Sequence, residues 1–271
     1  MNLSIFRKAL RDALPMLLAT FVAIIAFEVL FVRAVDEMPS DMGSQWLKLP
    51  FVKRMVRTLI GSDILDHMTP TGFMSIGFAH PLVYAFTWTL LLATGSRVMA
   101  GEVDRGTADL LLSLPVSRRG VYVSLSAMMV LIAIPISAAP LVGVAIGERL
   151  FPLQEPIRYS PLSILMVNLF ALDLAVIGAT LLFSARASRR GSPIAIVMAL
   201  LLSSFLLNFL GQFWSAAERL GFLGLLHYYR PLPIISDGVW PVRSLLTLAA
   251  AACLAWGGGL WLFVRRDVPA V

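Results

Sequence analysis

The sequence has few of the residues that form disulfides and metal sites. It contains one cysteine and three histidines in 271 residues. Cys253 lies inside an apolar run and has no partner in the chain, so the sequence excludes an intramolecular disulfide. The histidines stand singly, without a second Cys or His at ligand spacing, and the 12 methionines do not cluster as a soft-ligand site requires. We therefore predict no metal site and no catalytic residues.

Charged residues are scarce as well. Only 14% of the residues are Asp, Glu, Lys or Arg, whereas 58% are hydrophobic, and ordinary soluble domains contain about 25% charged residues. This composition is typical of an integral membrane protein, with lipid as its surroundings. The net charge of +6 does not indicate a nucleic-acid partner, because membrane proteins collect Lys and Arg in their cytoplasmic loops.

Lysine is rare, and its positions exclude a common ATP-binding motif. The only lysines are Lys8, Lys48 and Lys53, and none of them follows a glycine. A Walker A phosphate loop requires a Gly-Lys pair, so this sequence contains no such loop. Any ATP-driven work by this protein therefore requires a partner chain.

Six apolar runs are long enough to cross a bilayer as helices, which takes about 20 residues each. An even number of spans places both termini on one side of the membrane. No internal repeat or low-complexity tract divides the chain, so we predict an all-α integral membrane protein with a single transmembrane domain over residues 1–271. The predicted spans are residues 14–34, 78–98, 120–146, 160–184, 193–214 and 244–264.

The basic residues predict the orientation of these spans. More than half of the 22 Lys and Arg residues fall in the two terminal segments and in the segments 97–120 and 185–191. Arg186, Arg189 and Arg190 share one short turn. Because cytoplasmic loops carry the excess of Lys and Arg, we expect both termini to lie in the cytoplasm and the protein to lie in the cytoplasmic (inner) membrane.

The outer face then receives two loops, residues 35–77 and 215–243. In the first loop an apolar stripe lies opposite basic residues, which predicts an amphipathic helix that lies on the membrane surface or caps the bundle. The second loop mixes short apolar segments with Gly and Pro, and segments too short to span are typical of re-entrant or interfacial helices before span six. The stripe of the first loop consists of Val52, Met55, Val56 and Leu59.

The stretch GEVDRGTADLLLSLPVSRRG, residues 101–120, carries many charges between two apolar runs. It contains a leucine-rich stripe that would lie on one face of a short helix. Pro115 ends that helix after about two turns, and Ser117 is placed to cap the next helix. Because two turns are marginal alone in water, the leucine face either folds back on the protein's own helices or docks on a soluble subunit. The stripe consists of Thr107, Leu110, Leu111 and Leu114.

The same stretch resembles the cytoplasmic loop in permease subunits of type-2 ABC exporters. That loop has a glutamate, Gly-Thr, an acidic residue, a leucine run, Leu-Pro-Val-Ser-Arg and then the third span. Asp109 stands where glutamate is commoner, and Ala108 where a larger apolar residue is usual. HYYRP at residues 227–231 also resembles an element before the last span of such permeases. The matching residues are Glu102, Gly106, Thr107, Asp109, Leu110, Leu111, Leu112, Ser113, Pro115, Val116, Ser117 and Arg118.

The resemblance implies a six-span half-transporter with no cofactor of its own. Residues 99–119 would hold a coupling helix between spans two and three, seated in a groove of an ATP-binding subunit that binds ATP and Mg. A second permease, identical or related, would complete a translocation path at the dimer interface. The residues implied to contact the ATPase are Glu102, Gly106, Thr107, Asp109, Leu110, Leu111, Leu114, Pro115 and Arg118.

Polar residues within the spans are further candidates. Asp173 falls in the middle of the fourth span, where a carboxylate costs about 2.5–3.5 kcal/mol on insertion scales. It lines the pathway or the dimer interface, or it bonds to a Ser, Thr or Asn of a neighbouring span. Asn208 and Gln212 share a face of the fifth span and either bond to a neighbouring helix or contact substrate. Glu28 lies near the outer end of the first span, where we expect a solvated position.

Two other functions are open as alternatives. A permease-like component of a periplasmic metalloenzyme maturation system would share this architecture and differ mainly in what it moves. An intramembrane enzyme is disfavoured, because the sequence has no metal-ligand cluster, no paired acidic motif and no Ser/His pair that falls at one depth.

Overall fold

The computed structural model describes residues 2–37, 49–50, 69–104, 117–153, 155–211 and 213–265, with the backbone alone at 98–104 and 232. Every regular element in these ranges is helical. The helices are α1 (Leu3–Asp36), α2 (Pro70–Phe78), α3 (Pro81–Asp104), α4 (Arg118–Leu150), α5 (Tyr159–Ser184), α6 (Gly191–Leu210), α7 (Ser215–Leu220), α8 (Pro231–Asp237) and α9 (Val242–Arg265). Two 3₁₀ turns, Gly221–Leu223 and Leu225–Tyr228, lie between α7 and α8.

Six helical segments are long and apolar enough to cross a membrane. They are α1, the pair α2 and α3 up to Arg97, then α4, α5, α6 and α9. The prediction of an all-helical protein with six spans is therefore confirmed for the part of the chain that the structure describes. The amphipathic helix predicted at residues 52–59 lies outside the described residues. The architecture is that of a multi-pass membrane protein.

Helix α1 is longer than the apolar run that predicts it. Its 34 residues span about 51 Å at about 1.5 Å per residue, whereas the hydrocarbon core of a bilayer is about 30 Å thick. The helix begins at Leu3 rather than near residue 14, because its basic side chains are exposed while Phe6 and Leu10 pack against the core. The exposed basic residues are Arg7, Lys8 and Arg11.

Side-chain caps begin three of the helices. Asn2 Oδ1 accepts a hydrogen bond from the Ser4 N–H at 3.0 Å at the start of α1. Thr69 Oγ1 accepts a hydrogen bond from the Gly72 N–H at 3.1 Å at the start of α2. Ser117 Oγ accepts from the Gly120 N–H at 3.1 Å at the start of α4, which confirms the cap that the sequence predicts there. Such caps satisfy N–H groups that have no partner within the helix.

The second span is broken into two helices. α2 ends at Phe78 and α3 begins at Pro81, with Ala79 and His80 between them. Proline lacks an N–H and disfavours helical backbone in the residue before it, which explains the break. The sequence predicts this span at residues 78–98, and the structure adds α2, whose residues are mostly buried in the protein. The break therefore lies within the bundle.

Helix α5 lies at the centre of the bundle. It packs against α3, α4, α6 and α9, while α1 packs mainly against α4. Of the six spans, α5 is the most buried and α9 the least. Polar residues in the middle of α5, such as Asp173, are consequently enclosed by protein, whereas α9 keeps a broad apolar face for lipid or another chain.

Between α6 and α9 the chain forms short helices that pack on the bundle. The α8 helix contacts α2 and α5, and the second 3₁₀ turn contacts α6. Ser204 Oγ on α6 accepts a hydrogen bond from the Leu226 N–H at 2.9 Å. Asn168 Nδ2 on α5 donates to the Tyr228 carbonyl at 3.2 Å. The position of these helices at the outer face, and their re-entrant or interfacial character, stay predictions.

Candidate functional site

The predicted docking loop lies mostly outside the described residues, and its borders are visible. Glu102 lies in the last turn of α3 and Arg118 is the first residue of α4. Residues 105–116 connect these two helices, so the loop joins spans two and three as the sequence predicts. The predicted ATPase-contact residues outside the described ranges are Gly106, Thr107, Asp109, Leu110, Leu111, Leu114 and Pro115.

The start of α1 and the end of α9 both pack against the start of α4. The Asn2 N–H donates to Ser124 Oγ at 2.7 Å. Tyr122 Oη donates to the Trp256 carbonyl at 2.9 Å. Both contacts lie within two turns of the residue at which α4 leaves the loop. The Tyr122 ring also lies 5.8 Å from that of Phe263, so the two ends of the described chain lie at the end of the bundle where α4 begins.

The turn between α5 and α6 lies at that end as well. Arg190 Nη2 donates to the Ala93 carbonyl, at the middle of α3, at 3.2 Å, and Arg190 follows the end of α5, which packs against α4. The described residues of the four segments that the basic residues assign to one side of the membrane thus lie at one end of the bundle. We call this the basic end. Its arginines and lysine on the described helices and turn are Arg7, Lys8, Arg11, Arg97, Arg118, Arg119, Arg186, Arg189, Arg190 and Arg265.

Asp173 lies on α5 and is fully buried. Ser137 Oγ on α4 donates a hydrogen bond to Asp173 Oδ2 at 2.8 Å. The Ala133 carbonyl also lies 2.8 Å from Ser137 Oγ, so the two acceptors share one hydroxyl donor. Asp173 Oδ1 has no partner among the described residues. This is the geometry of a hydrogen bond to a serine of a neighbouring span. A role in the pathway or at the dimer interface stays a prediction, and it requires the helices around α5 to separate.

Asn208, another predicted pathway residue, is less enclosed than Asp173. Asn208 lies on α6 and is half-buried, and its Oδ1 lies beside Gly221 of the first 3₁₀ turn. Gln212 lies outside the described residues. The structure therefore places Asn208 against the short helices before α8 and does not test the face that it was predicted to share with Gln212.

The solvated position expected for Glu28 is wrong. The residue lies on α1 and is 0% exposed, and neither carboxyl oxygen has a hydrogen-bond partner among the described residues. A signal for this burial exists in the sequence, because Thr20, Ile24, Glu28 and Val32 recur at every fourth position on the buried face of α1. The short distance from Glu28 to the end of the span predicts a solvated residue. Its burial is determined instead by the face of α1 on which it lies.

Tyr229, in the segment before α8, lies near both Glu28 and Asp173. Its ring is buried, and Tyr229 Oη donates to the Phe78 carbonyl, at the end of α2, at 3.4 Å. Burial, followed by the nearby Tyr84, Asp173 and Glu28, raises the pKa of the Tyr229 hydroxyl well above its usual value. The tyrosine is therefore a neutral hydrogen-bond donor, and it lies within electrostatic range of both buried carboxyls.

His227 and Arg230 form a polar contact on the same segment. Arg230 Nη2 lies 2.9 Å from His227 Nδ1. Burial, then the charges of Arg230 and Arg243, lower the pKa of His227. The lowered pKa favours the neutral imidazole, whose Nδ1 accepts a hydrogen bond from the guanidinium. The contact joins the first and fourth residues of the HYYRP element.

A set of polar groups lies inside the bundle. In the described ranges no group of three His, Cys, Asp or Glu side chains is close enough to hold a metal. The interior polar set comes from five separate segments: α1, α3, α4, α5 and the segment before α8. Its members are Glu28, Tyr84, Ser137, Asp173 and Tyr229.

The chain matches a known family over nearly its whole length. A family model described as ABC-2 family transporter protein covers residues 4–268. No curated protein matches the sequence. The matched range includes all six spans, the loop between α3 and α4 and the interior polar residues. The protein is therefore a membrane component of an ABC transporter, and the chain belongs to the ABC-2 transporter family.

Proposed function

We propose that this protein is the permease subunit of an ATP-driven exporter and that it couples ATP hydrolysis by a separate subunit to substrate translocation. The observation that carries the proposal is the family match over residues 4–268, which includes the leucine-rich loop. The absence of a Walker A motif from the sequence assigns ATP and Mg to the partner chain. A second copy of this permease, or a related one, completes the transporter.

The basic end faces the cytoplasm in this proposal. Its excess of arginine follows the distribution that cytoplasmic loops show. The contact of Asn2 with Ser124 supports it, because the described N-terminal segment lies beside the start of α4, and the contact of Arg190 with Ala93 joins the basic turn after α5 to α3. An ATPase in the cytoplasm then reaches the loop directly. The protein lies in the inner membrane with both termini inside the cell.

The leucine stripe of the loop is the proposed docking element. Thr107, Leu110, Leu111 and Leu114 fall on one face of a short helix, and burial of one leucine contributes about 1.5–3 kcal/mol. Asp109 adds an exposed charge contact of about 0–1 kcal/mol. The stripe therefore supplies most of the docking free energy, and the charged residues orient the contact.

Leu111→Glu tests this proposal. We expect the variant to lose co-purification with its ATPase, or to hydrolyse ATP without transport, because a charge replaces a buried leucine. The amount of permease in the membrane should not change, since the spans are intact. Co-purification from mild detergent and quantitative blotting of the membrane fraction measure the two effects.

Leu112→Glu is the matched control. At about 100° per residue, Leu112 lies about 150° from the centre of the stripe, so its replacement adds the same charge on the opposite face. We expect it to bind the ATPase nearly as the unaltered protein does. Normal ATPase binding and transport by Leu111→Glu would show that residues 107–114 are not the coupling element.

A further inference from the structure

A carboxyl group is enclosed where three membrane helices meet. A Cβ atom placed on Gly77 of α2 would lie 2.9 Å from Glu28 Oε1 and 3.0 Å from Glu28 Cδ. A Cβ atom placed on Gly143 of α4 would lie 2.6 Å from Glu28 Cβ. Side-chain carbons essentially never approach so closely, so a larger residue at Gly77 would displace the Glu28 carboxyl, and one at Gly143 would also meet the Ile25 backbone at 3.1 Å. The side chain of Glu28 on α1 is thus packed directly against the backbones of α2 and α4.

The surroundings of this carboxyl disfavour a negative charge. The carboxyl lies beside Gly77, which is one residue before the end of α2 at Phe78. The carboxyl-terminal end of a helix carries a partial negative charge. The Phe78 carbonyl already accepts from Tyr229 Oη. His80, at the break, packs against Phe27 of α1, with ring centroids 4.7 Å apart and the rings tilted by 36°.

The charged groups of the neighbouring helices do not compensate Glu28. Helix α2 has no ionisable side chain. On α4, Glu148 lies one turn beyond Gly143 and is engaged by the Ile157 N–H and by Tyr159 Oη. The described ionisable side chains on the elements around Glu28 are Tyr84 and Arg97 on α3, Arg118, Arg119, Tyr122, Glu148 and Arg149 on α4, Tyr159 and Asp173 on α5, His80 at the break, and Tyr229 before α8.

An ionised carboxylate is strongly disfavoured in such a place. A buried charge without a partner loses its hydration and gains nothing in return, and the group takes up a proton instead. Asp173 differs, because Ser137 Oγ donates to one of its oxygens. Glu28 is buried to the same degree and has no donor among the described residues.

We propose that Glu28 is a proton-binding site, which holds a proton while α1 is packed against α2 and α4 and releases it when these helices separate and water reaches the carboxyl. The proton is the ligand that fits. On the side of Gly77 there is less space than a methyl group needs, whereas a metal ion requires several oxygen ligands around it.

The site makes the packing of α1 dependent on acidity. Acid favours the packed arrangement, and alkaline conditions favour the separated one, because an ionised Glu28 cannot return to its place between Gly77 and Gly143. If such a separation is a step of transport, proton release accompanies that step. This last consequence rests on the proposed function, whereas the proton site itself does not.

Infrared spectroscopy of the full chain in lipid nanodiscs tests the site directly. Labelling of the glutamate carboxyls with ¹³C shifts the C=O band of a protonated glutamic acid and leaves the aspartic acid bands in place. We expect the unaltered protein to show a label-sensitive protonated band at neutral pH with slow deuterium exchange. Glu28→Gln should lose this band, and Glu148→Gln should keep it. A spectrum with no such band, or a band that persists in Glu28→Gln, overturns the proposal.

A second measurement keeps the test decisive if Glu28→Gln does not fold. The label-sensitive band of the unaltered protein is titrated with pH at constant salt and with NaCl at constant pH. Loss of the band at alkaline pH alone supports the proposal, and a response to sodium instead assigns a cation site and overturns it. Neither measurement uses an ATPase or a substrate, so a failure of the proposed transport function leaves the band unchanged.

Discussion

Two carboxyls in the bundle are equally buried and differ in their hydrogen bonds. Asp173 accepts a hydrogen bond from Ser137 at 2.8 Å, whereas Glu28 has no hydrogen-bond donor among the described residues. Hydrogen bonds between membrane helices contribute about 0.6–1.7 kcal/mol, and a buried polar group that loses its partner costs about 1–3 kcal/mol. Ser137 is therefore the residue that allows Asp173 to lie between α4 and α5.

Ser137→Ala should lower the free energy of unfolding by about 1–2 kcal/mol, because it leaves both oxygens of Asp173 without a donor. In the Asp173→Leu background the same change should cost much less. There Ser137 would bond only to the Ala133 carbonyl of its own helix. Unfolding in mixed micelles, measured for the two single variants and the double variant, gives the coupling between the residues.

The control for this cycle is Ser163→Ala on α5, whose hydroxyl also donates to a carbonyl one turn earlier, that of Tyr159, but is only partly buried. It should have little effect in either background. An equal cost of Ser137→Ala with and without Asp173 would contradict the hydrogen bond between α4 and α5. Transport by Asp173→Asn is the separate measurement that tests a role in the pathway.

At the scale of residues, the sequence predicts the kind of partner for Asp173 and misplaces Glu28. A carboxyl in the middle of a span has to be paired, protonated or hydrated, so a serine on a neighbouring helix was among the expected partners. The identity of Ser137 depends on how α4 and α5 rotate against each other, which hydropathy does not report. The depth of Glu28 along α1 predicts a solvated position. Its spacing of four residues from Ile24 and Val32, however, indicates that it lies on the buried face of the helix.

At the scale of elements, the first turn of α1 is fastened to α4 by one serine. Ser124 Oγ accepts from the Asn2 N–H at 2.7 Å and lies near the Asn2 carbonyl at 3.2 Å. Asn2 Oδ1 in turn caps α1 by accepting from the Ser4 N–H. Because α4 begins directly after the predicted docking loop, this contact links the start of the chain to the segment that leaves the loop.

Ser124→Ala should speed amide hydrogen exchange in the first turn of α1 by about fivefold or more, since loss of one hydrogen bond of about 1 kcal/mol raises the open population by that factor. The centre of the helix should be unaffected. Exchange measured by mass spectrometry on peptides from residues 2–10 and 20–30 separates the two regions.

Thr247→Ala on α9 is the control, because Thr247 Oγ1 donates only to the Arg243 carbonyl of its own helix. It should leave exchange in α1 unchanged. If Ser124→Ala also leaves the first turn unchanged, the packing of Phe6 and Leu10 against the core holds the helix start without the hydrogen bond.

Hydropathy predicts most of these elements, and it fails where burial in protein replaces contact with lipid. The residues PTGFMSIGF of α2 include glycine and threonine, which reduce the apolar signal, yet the helix is mostly buried. The extension of α1 to Leu3 follows from an amphipathic face rather than from an apolar run. The break before Pro81 could be inferred from proline alone, but its place beside Glu28 could not.

At the scale of the whole molecule, the sequence predicts the family and not the interior. Family resemblance rests on a contiguous stretch, residues 101–118, which can be read without a structure. The interior polar set is contributed by segments more than 200 residues apart in the chain, from Glu28 to Tyr229. Its assembly depends on α5 at the centre and on the return of the segment before α8 into the bundle.

Cysteine labelling in whole cells tests the orientation of the assembled molecule. Ser188 lies in the exposed turn between α5 and α6, at the basic end. Val239 is 65% exposed just before α9 begins, so the length of α9 separates it from that end. Because Cys253 is exposed as well, both variants are made in a Cys253→Ala background.

With the basic end in the cytoplasm, a membrane-impermeant thiol reagent should label Val239→Cys in intact cells and should not label Ser188→Cys. Permeabilised cells should give labelling at both positions, which shows that each thiol is reactive. The reverse pattern would place the loop between α3 and α4 outside the cell, where no ATP is available, and both the docking of an ATPase and the direction of export would have to be abandoned. Labelling of Val239→Cys alone in intact cells would place the basic end on the side of a cytoplasmic ATPase. Leu111→Glu would then be the decisive next variant, because it tests whether the ATPase docks on the leucine stripe.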